Sequence, residues 1–498
     1  MPAPTPSFSV LADRFGTPLY VHDAATLRAR AARLRSTFGP QVDVLYAVKA
    51  NPSLAVATVL RRCGLGADVA SGGELALARA AGFDADAIRF AGPGKTDAEL
   101  IAALDVGIAC VHVEAADEVE RLTTIARARG VRPSVAIRVN PPAASSGRMQ
   151  MGGGAKKFGV DADAVPALAR RIVDDGVCAL VGLQVYAGTQ LFDAAAWLRQ
   201  AVDLVALADL VEDEIGRELN VLNFGGGFGV AMNDDDETFD VDAAAAGVRD
   251  LLSARPQRRG AIEVGRWLVA DAGTYLARVV STKTSGGRRF AILDGGLHHH
   301  AAATGFGGVV RRMPPMHVVG VAADAPPEPI TICGPLCAAG DEFAADVALP
   351  PVAPGALLAF DRAGAYGLTF SPVLLAGHPL PAEVLVDGAD AWLARERGAF
   401  DDVLRGQQAP AVDEGALLDR VARLVGRVIL QRTGRSVAPL PDDDLSRYGL
   451  SDAIGLLDLA LALQFDLGVA VEPHESDARH LGSVRRIAEL VERRIGRG

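Results

Sequence analysis

Short apolar runs alternate with longer helical stretches from about residue 36 to residue 275. The runs are rich in branched and aromatic side chains, which is typical of buried parallel strands, and the stretches between them are rich in the helix-favouring residues Ala, Leu and Arg. The predicted strands are residues 42–48, 66–70, 88–91, 108–113, 134–139, 180–186, 220–224 and 261–264. Eight strands separated by helices predict an α/β fold, a (β/α)8 barrel over residues 36–275, with functional side chains at the carboxyl ends of the strands.

The pattern changes after residue 275, where short strand-like runs are separated by Gly and Pro. This punctuation predicts a β-sandwich or β-barrel domain over residues 276–395. Its predicted strands are residues 290–293, 330–332, 357–360 and 382–386. A further strand-like run at residues 19–22 lies in the N-terminal segment 1–35, which we expect to join this β-domain.

The last hundred residues have a third pattern. Residues 396–413 are polar and irregular, and we expect a linker there. Residues 414–498 predict a separate small all-α bundle. Its first helix is expected over residues 416–432, and its second, strongly apolar helix is expected to end at Asp466.

Composition limits the classes of function. The chain has 498 residues, half of them hydrophobic, and a formal net charge of −11. Clusters of Lys and Arg are short, so we expect no nucleic-acid partner. The N-terminus lacks the charged and apolar regions of a signal peptide, and no apolar stretch reaches membrane-spanning length. We therefore expect a cytoplasmic protein that does not bind membranes.

The cysteines and histidines do not form a metal-binding pattern. Five cysteines are scattered along the chain, an odd number that favours reduced thiols. Cys333 and Cys337 are too far apart for a C-x-x-C pair, and no His lies at zinc-ligand spacing beside them. His298, His299 and His300 are consecutive, so on a strand or turn they would point in different directions. We predict no metal site.

Lys49 is one of only five lysines, and it follows the predicted strand 42–48 directly. In a barrel, this position lies at the mouth where catalytic groups are found. Apolar neighbours would lower the pKa of the ammonium, which suits a lysine that forms a Schiff base. The alternative is a strand-end lysine whose ammonium extends to solvent.

The segments Tyr46-Ala47-Val48-Lys49-Ala50-Asn51-Pro52 and Ala67-Asp68-Val69-Ala70-Ser71-Gly72-Gly73-Glu74-Leu75 resemble the opening of the diaminopimelate/ornithine decarboxylase family. Members of this family are fold-type III enzymes that use pyridoxal 5′-phosphate (PLP). The resemblance continues in family order through residue 390. It implies that Lys49 holds PLP as a Schiff base, that Asp68 belongs to the cofactor site, and that the reaction is the decarboxylation of an amino acid.

Later motifs complete the cofactor site that this resemblance implies. The glycine-rich segment 223–229 follows a strand, and glycines let backbone N–H groups approach a phosphate closely. In Glu263-Val264-Gly265-Arg266, the carboxylate would bind the pyridine nitrogen and the guanidinium the phosphate. The other implied cofactor contacts are Tyr186, Thr189, Gly225, Gly226, Gly227 and Tyr366.

Gly334-Pro335-Leu336-Cys337 resembles the family's G-P-x-C segment. In that family, the thiol of the segment reaches into the partner subunit's site and returns a proton to the substrate carbon after CO2 leaves. The resemblance therefore implies that Cys337 is catalytic and that the protein is a homodimer with shared active sites. The predicted substrate contacts are Arg138, His298, His299 and Ala338.

The chain departs from the family where the substrate side chain would bind. Diaminopimelate and ornithine decarboxylases have an acidic residue after the cysteine to hold the distal ammonium, but here that residue is Ala338, and residues 367–381 contain no Arg. Segments 152–159 and 294–300 look most like the branch that decarboxylates aminoacyl groups on carrier proteins in secondary metabolism. We therefore favour a carrier-bound substrate. The alternatives are a free amino-acid decarboxylase similar to diaminopimelate decarboxylase and a non-catalytic PLP-binding or carrier-docking protein.

Residues 416–498 resemble an acyl or peptidyl carrier domain. Such domains attach phosphopantetheine to the serine of a D-S-L motif at the start of their second helix. Here the two possible registers place Asp452 or Ala453 at that serine, and Ser451 lies one or two positions early, where a helix N-cap explains it. We favour a degenerate carrier used for docking or dimer contacts. Possible partners are a carrier protein or a synthetase.

Overall fold

The computed structural model describes residues 5–141, 149–150, 152–186, 188–231, 237–304, 315–321, 326–408 and 414–495. They belong to two compact units, one ending at Val403 and one beginning at Leu404. The strands are β1 (Leu19–Asp23), β2 (Val42–Ala47), β3 (Gly66–Val69), β4 (Ile88–Phe90), β5 (Cys110–Val113), β6 (Ser134–Asn140), β7 (Met149–Gln150), β8 (Val160–Asp161), β9 (Ala179–Val185), β10 (Gly188–Thr189), β11 (Val221–Gly226), β12 (Arg259–Val264), β13 (Gly273–Ser285), β14 (Arg288–Leu293), β15 (Met316–Val318), β16 (Glu328–Cys333), β17 (Glu342–Leu349), β18 (Leu357–Phe360), β19 (Ala382–Asp387) and β20 (Asp390–Arg395).

The helices of the first unit are α1 (Phe8–Phe15), α2 (Ala24–Phe38), α3 (Leu54–Arg62), α4 (Gly72–Ala80), α5 (Asp97–Val106), α6 (Ala116–Arg129), α7 (Val165–Asp175), α8 (Ala194–Ile215), α9 (Val241–Ser253), α10 (Arg266–Val269) and α11 (Leu297–Thr304). The second unit has α12 (Glu414–Thr433), α13 (Ala453–Leu467), α14 (Ala478–Leu481) and α15 (Val484–Ile495). No helix of the described residues is both long enough and apolar enough to cross a bilayer.

Eight parallel strands of the described chain close into a barrel in the order β2-β3-β4-β5-β6-β9-β11-β12 and back to β2. These are the eight strands that the apolar runs predict, so the α/β barrel is confirmed. The first differs at its end, since β2 stops at Ala47 and residues 48–50 form a 3-10 turn. Pro52 ends this turn, because a residue before proline is held in extended backbone, as Asn51 is here.

Local signals in the sequence set where the barrel helices begin. Thr96 and Glu99 form a capping box at the start of α5, and the Asp193 side chain caps α8 by accepting from Ala196 N. The buried faces of these helices pack on the strands in one continuous apolar core. Loops at the carboxyl ends of the strands are thereby held on a rigid frame.

The β-domain is one sheet of nine strands among the described residues, with β17-β16-β14-β13-β1-β19-β20 as its main path. Strand β1, from the N-terminal segment, pairs antiparallel with β13 and parallel with β19. Strand β18 pairs with β13 and β15. The two apolar clusters of the β-domain lie on either side of this sheet's central strands, with Tyr275 in one and Leu276 in the other.

The second unit is helical and has an apolar core of its own. The expected helix at 416–432 is α12, and the expected apolar helix is α13. Our assignment of Ser451 as the cap of that helix is wrong: Asp452 is the N-cap, and its carboxylate accepts from Gly455 N at 2.7 Å, leaving Ser451 exposed. Of the expected linker, residues 409–413 lie outside the described residues.

Candidate active site

Lys49 lies in the 3-10 turn that follows β2, at the carboxyl end of the barrel. Its Nζ donates to Asp68 Oδ2, on β3, at 3.2 Å, and it lies 5.9 Å from the centre of the Tyr186 ring. Burial opposes the charge of Lys49 most strongly, but Asp68, Tyr366, Tyr186 and Glu263 together outweigh burial, so the pKa of the ammonium is raised above its usual value. The expectation of a lowered pKa is therefore wrong, because the neighbours of Lys49 in space are charged, unlike its neighbours in sequence.

The turn around Lys49 is fixed by hydrogen bonds on both sides. Tyr46 donates its hydroxyl to Asn51 O at 2.5 Å, and the Asn51 amide donates to Gly364 O at 2.9 Å. The backbone N–H of Tyr366 donates to Ala50 O at 2.8 Å. The barrel and the β-domain thus hold the turn together.

One cavity brings together most of the predicted cofactor contacts. Its walls include Lys49, Tyr186, Thr189, Gly227, Glu263, Arg266 and Tyr366. The guanidinium carbon of Arg266 lies 4.7 Å from the centre of the Tyr366 ring, and its Nε is buried without a hydrogen bond in the described structure. Burial lowers the pKa of Arg266. A partly buried cation whose enclosed Nε has no partner, facing a cavity, suits an anionic ligand such as a phosphate.

The glycines of residues 225–227 are required by the backbone around them. A Cβ on Gly227 would lie 2.1 Å from the carbonyl oxygen of Gly188, and a Cβ on Gly226 would lie 1.8 Å from that of Glu263. Gly227 also has a φ of +88°, which L side chains rarely adopt. Close packing of β11 against its neighbours therefore demands glycine here, and the same lack of side chains leaves backbone groups open to the cavity.

Replacing Gly227 by alanine is expected to destabilise the first unit by about 2–4 kcal/mol, because the cost of a positive φ is added to the cost of the steric overlap between the new Cβ and Gly188. Thermal or urea unfolding would measure this loss. Gly355→Ala is the matched control, since Gly355 has a φ of +89° but nothing within 4 Å of its added Cβ. Equal losses in the two variants would contradict the steric argument.

Beneath the cavity, polar side chains from six barrel strands are buried side by side. They are Asp68, His112, Arg138, Gln184, Asn223 and Glu263. We call this set the polar floor. Asn223 donates to Glu263 Oε1 at 2.6 Å, and Gln184 donates to Glu263 Oε2 at 3.1 Å. Glu263 thus accepts a hydrogen bond on each of its two carboxylate oxygens from other members of the floor.

The electrostatics of the polar floor centre on Glu263. Burial, reinforced by the carboxylate of Asp68, raises the pKa of Glu263 to about 7, while Lys49 and Arg138 oppose that shift. Arg138, a predicted substrate contact, donates to the buried carboxylate of Glu114 at 2.8 Å. A carboxyl group that titrates near neutrality is suited to share a proton with a weak base such as a pyridine nitrogen.

Three members of the floor were not predicted from the sequence: His112, Gln184 and Asn223. Each is a single polar residue inside an otherwise apolar strand, and that is the signal that could have found them. In a barrel with helices outside, an inward-facing polar side chain on a strand needs a partner in the barrel interior.

Four predicted residues lie outside the cavity wall, the adjoining glycine segment 225–227 and the polar floor. Cys337 and Ala338 are exposed in the loop after β16. His298 and His299 are buried in the β-domain on α11, so the strand or turn expected for the histidine run is instead a helix that is kinked at His300. His299 Nε2 lies 3.0 Å from Pro379 O. Burial lowers the pKa of His298 to about 4 and that of His299 to about 3, so both are neutral near pH 7.

The cavity therefore offers an amine, a partly buried guanidinium, the backbone at Gly227 and a carboxyl group at separate points. This set fits PLP, whose aldehyde, phosphate and ring nitrogen need an amine, a cation with backbone donors, and a carboxylate. The unused donor of Arg266 and the unpartnered buried oxygen Oδ1 of Asp68 are the observations of this structure that favour such a ligand.

Comparisons with known proteins agree with this chemistry. The pyridoxal binding domain of the pyridoxal-dependent decarboxylases matches residues 24–270. The chain is 37% identical over 408 residues to the L-glutamyl-[BtrI acyl-carrier protein] decarboxylase of Niallia circulans, a match that covers 80% of this chain and 95% of that protein. It is 35% identical over 415 residues to the diaminopimelate decarboxylase of Methanothermobacter thermautotrophicus, covering 80% and 94%.

The fold agrees as well. The crystal structure of diaminopimelate decarboxylase from Helicobacter pylori complexed with L-lysine superposes with a TM-score of 0.74 at 26% identity, covering 80% of this chain and 98% of that one. The matches in sequence and structure extend over nearly the whole length of these relatives. The chain is an enzyme of the pyridoxal-dependent decarboxylase family, a fold-type III carboxy-lyase whose cofactor is PLP.

Proposed function

We propose that this decarboxylase acts on an aminoacyl group carried as a thioester on a carrier protein. The observation that carries the proposal is the lack of an acidic side chain after Cys337, where residues 338–340 are Ala-Ala-Gly. A free diamino acid would bury its distal ammonium there without a partner, at a cost of several kcal/mol. The glutamyl-carrier decarboxylase of Niallia circulans, 37% identical, is a relative that acts on such a carrier-bound group.

Asp341 does not replace the missing carboxylate. It is buried, and its two oxygens accept from Leu297 N at 2.6 Å and Leu336 N at 2.8 Å. These bonds hold the loop of Cys337 against α11. A carboxylate committed to two backbone donors offers a weak site for a substrate ammonium.

The residues of the site have separate proposed roles. Lys49 would hold the cofactor through its aldehyde until the substrate amine takes its place, Arg266 and Gly225–Gly227 would hold the phosphate, and Glu263 would hold the ring nitrogen. PLP supplies a ring that takes up the electron pair of the breaking bond. The bond from Cα to the carboxylate breaks, CO2 leaves, and the thiol of Cys337 returns a proton to Cα. Because Cys337 does not line the cavity of its own chain, we propose that it serves the partner subunit in a homodimer.

Carrier-loaded glutamate is expected to release CO2 with a kcat/KM at least about a hundredfold above that of free diaminopimelate, ornithine, lysine or glutamate. The free diamino acids would bury an unpaired distal ammonium, and free glutamate would bury a side-chain carboxylate whose charge the thioester removes. Release of 14CO2 from carboxyl-labelled substrates would measure the difference. Ala338→Glu adds the missing carboxylate and should move the preference toward free diamino acids. Faster turnover of a free acid by the unaltered enzyme would overturn the carrier proposal and favour the free amino-acid decarboxylase.

We propose a docking role, without phosphopantetheine, for the second unit. Asp452 uses its carboxylate to cap α13, and Ala453 has no hydroxyl, so neither register offers an attachment atom. The same helix leaves Ile454, Leu457 and Phe465 exposed. Spaced three and eight residues apart, they share one helix face, which suits a protein partner. Mass spectrometry of the intact chain, sampled from the CO2-release experiment, would reveal any acyl-pantetheine group attached to this unit.

A further inference from the structure

His112 lies on β5 under the cofactor cavity and has no role assigned above. Its side chain is buried, and its Nδ1 lies 3.5 Å from Glu263 Oε1. Nδ1 is also without a hydrogen bond to any described residue. A buried ring nitrogen that faces a carboxylate is best satisfied as an N–H donor to it.

The surroundings keep His112 uncharged. Burial first, and then the cations Arg89, Lys95, Arg138 and Lys49, lower the pKa of the imidazole well below its usual value. A neutral imidazole has one N–H, so it can donate a hydrogen bond to Glu263 without adding a charge to the floor. Asp68 is a second acid close to this ring.

We propose that His112 is a positioning residue that donates from Nδ1 to Glu263 and holds its carboxylate, ionised, toward the ring nitrogen of PLP. Together with Asn223 and Gln184, it gives Glu263 a third donor from a third strand. Three donors fix both the orientation and the charge of a carboxylate. The inference rests on the proposed role of Glu263.

The test is the affinity of the apoenzyme for PLP as a function of pH, followed by quenching of tryptophan fluorescence, since Trp267 lines the cavity. The affinity of the unaltered protein should rise with pH as Glu263 ionises near its pKa of about 7. Removing a donor disfavours the carboxylate and raises its pKa. In His112→Leu, the rise of PLP affinity with pH should therefore occur about one pH unit higher, and the affinity at pH 7 should be about tenfold lower.

His112→Gln keeps a donor of similar reach and should restore both the affinity and the pH of the rise. His300→Leu is the matched control, because it removes another buried imidazole, one in the β-domain, and should change neither. If His112→Leu does not fold, His112→Asn, whose amide is too short to reach Glu263, replaces it in the comparison with His112→Gln.

An unchanged pH profile in His112→Leu, or a His112→Gln profile like that of His112→Leu, would overturn the inference. Glu263→Gln separates this result from failure of the role of Glu263, since it should abolish the rise. If Glu263→Gln also left the profile unchanged, the role of Glu263 itself would be wrong. Asp68, His112 and Glu263 place possible ligand atoms within 4.8 Å of one another, so loss of affinity on chelation would instead assign the cluster to a metal ion.

Discussion

Replacing Lys49 by alanine is expected to abolish decarboxylation, with a fall in kcat/KM of more than about a thousandfold. The reason is chemical: without its Nζ there is no protein amine to bond to the aldehyde of PLP or to be exchanged for the substrate amine. The visible absorbance band of the lysine-bound cofactor should disappear from the purified protein. Absorbance spectra and CO2 release measure the two losses independently.

Two further variants test whether the Lys49 amine itself is needed, rather than a positive charge at that position or any lysine of the chain. Lys49→Arg keeps a cation that can pair with Asp68 but cannot bond to an aldehyde, so it should lose the band while retaining the fold. Lys283→Ala removes an exposed lysine of β13 and should leave band and rate unchanged. A normal absorbance band in Lys49→Ala would overturn the assignment of Lys49 as the cofactor lysine.

Replacing Cys337 by alanine is expected to lower turnover by about a hundredfold or more, because the proton that replaces CO2 then has no positioned donor. Cofactor absorbance should be unchanged, since the thiol does not line the cavity of its own chain. Cys63→Ala, at a partly exposed thiol at the end of α3, is the matched control. Full turnover in Cys337→Ala would contradict the proton-donor role.

Mixing the two inactive variants tests whether sites are shared between subunits. If Lys49 of one chain works with Cys337 of the partner, a mixed dimer of Lys49→Ala and Cys337→Ala chains has one intact site and one doubly altered site. Random exchange of equal amounts should then restore about a quarter of the wild-type rate. No recovery, with dimer exchange verified by mass, would rule out a site built from two chains.

The barrel could be predicted from the sequence because its strands are buried on both faces and therefore read as continuous apolar runs. Seven residues of the cavity wall could be predicted because they lie within or beside the family motifs. The position of Lys49 at the carboxyl end of the barrel was predicted correctly. The direction of its pKa shift was not, because Asp68 lies on the neighbouring strand β3 and the spacing of apolar residues does not show which side chains pair across strands.

The polar floor could not be predicted from the sequence for a related reason. A single His, Gln or Asn in a strand can face the core or the helices, and only strand register decides which. His112 meets Glu263 because β5 and β12 lie across the barrel from each other, a juxtaposition that depends on closure of all eight strands. The histidines of α11 do not line this cavity, because packing in the β-domain encloses them.

The bonds that close the turn of Lys49 also bear on how such chains can be recombined. Asn51 reaches Gly364, and Tyr366 reaches Ala50, so the reactive amine depends on backbone more than 300 residues further along the chain. Barrel and β-domain must therefore be inherited together, and a gene exchange between them would yield a barrel without a properly held lysine. All of these bonds lie before Val403. The helical unit after it has an apolar core of its own, so a gene exchange at that boundary would leave these bonds in place.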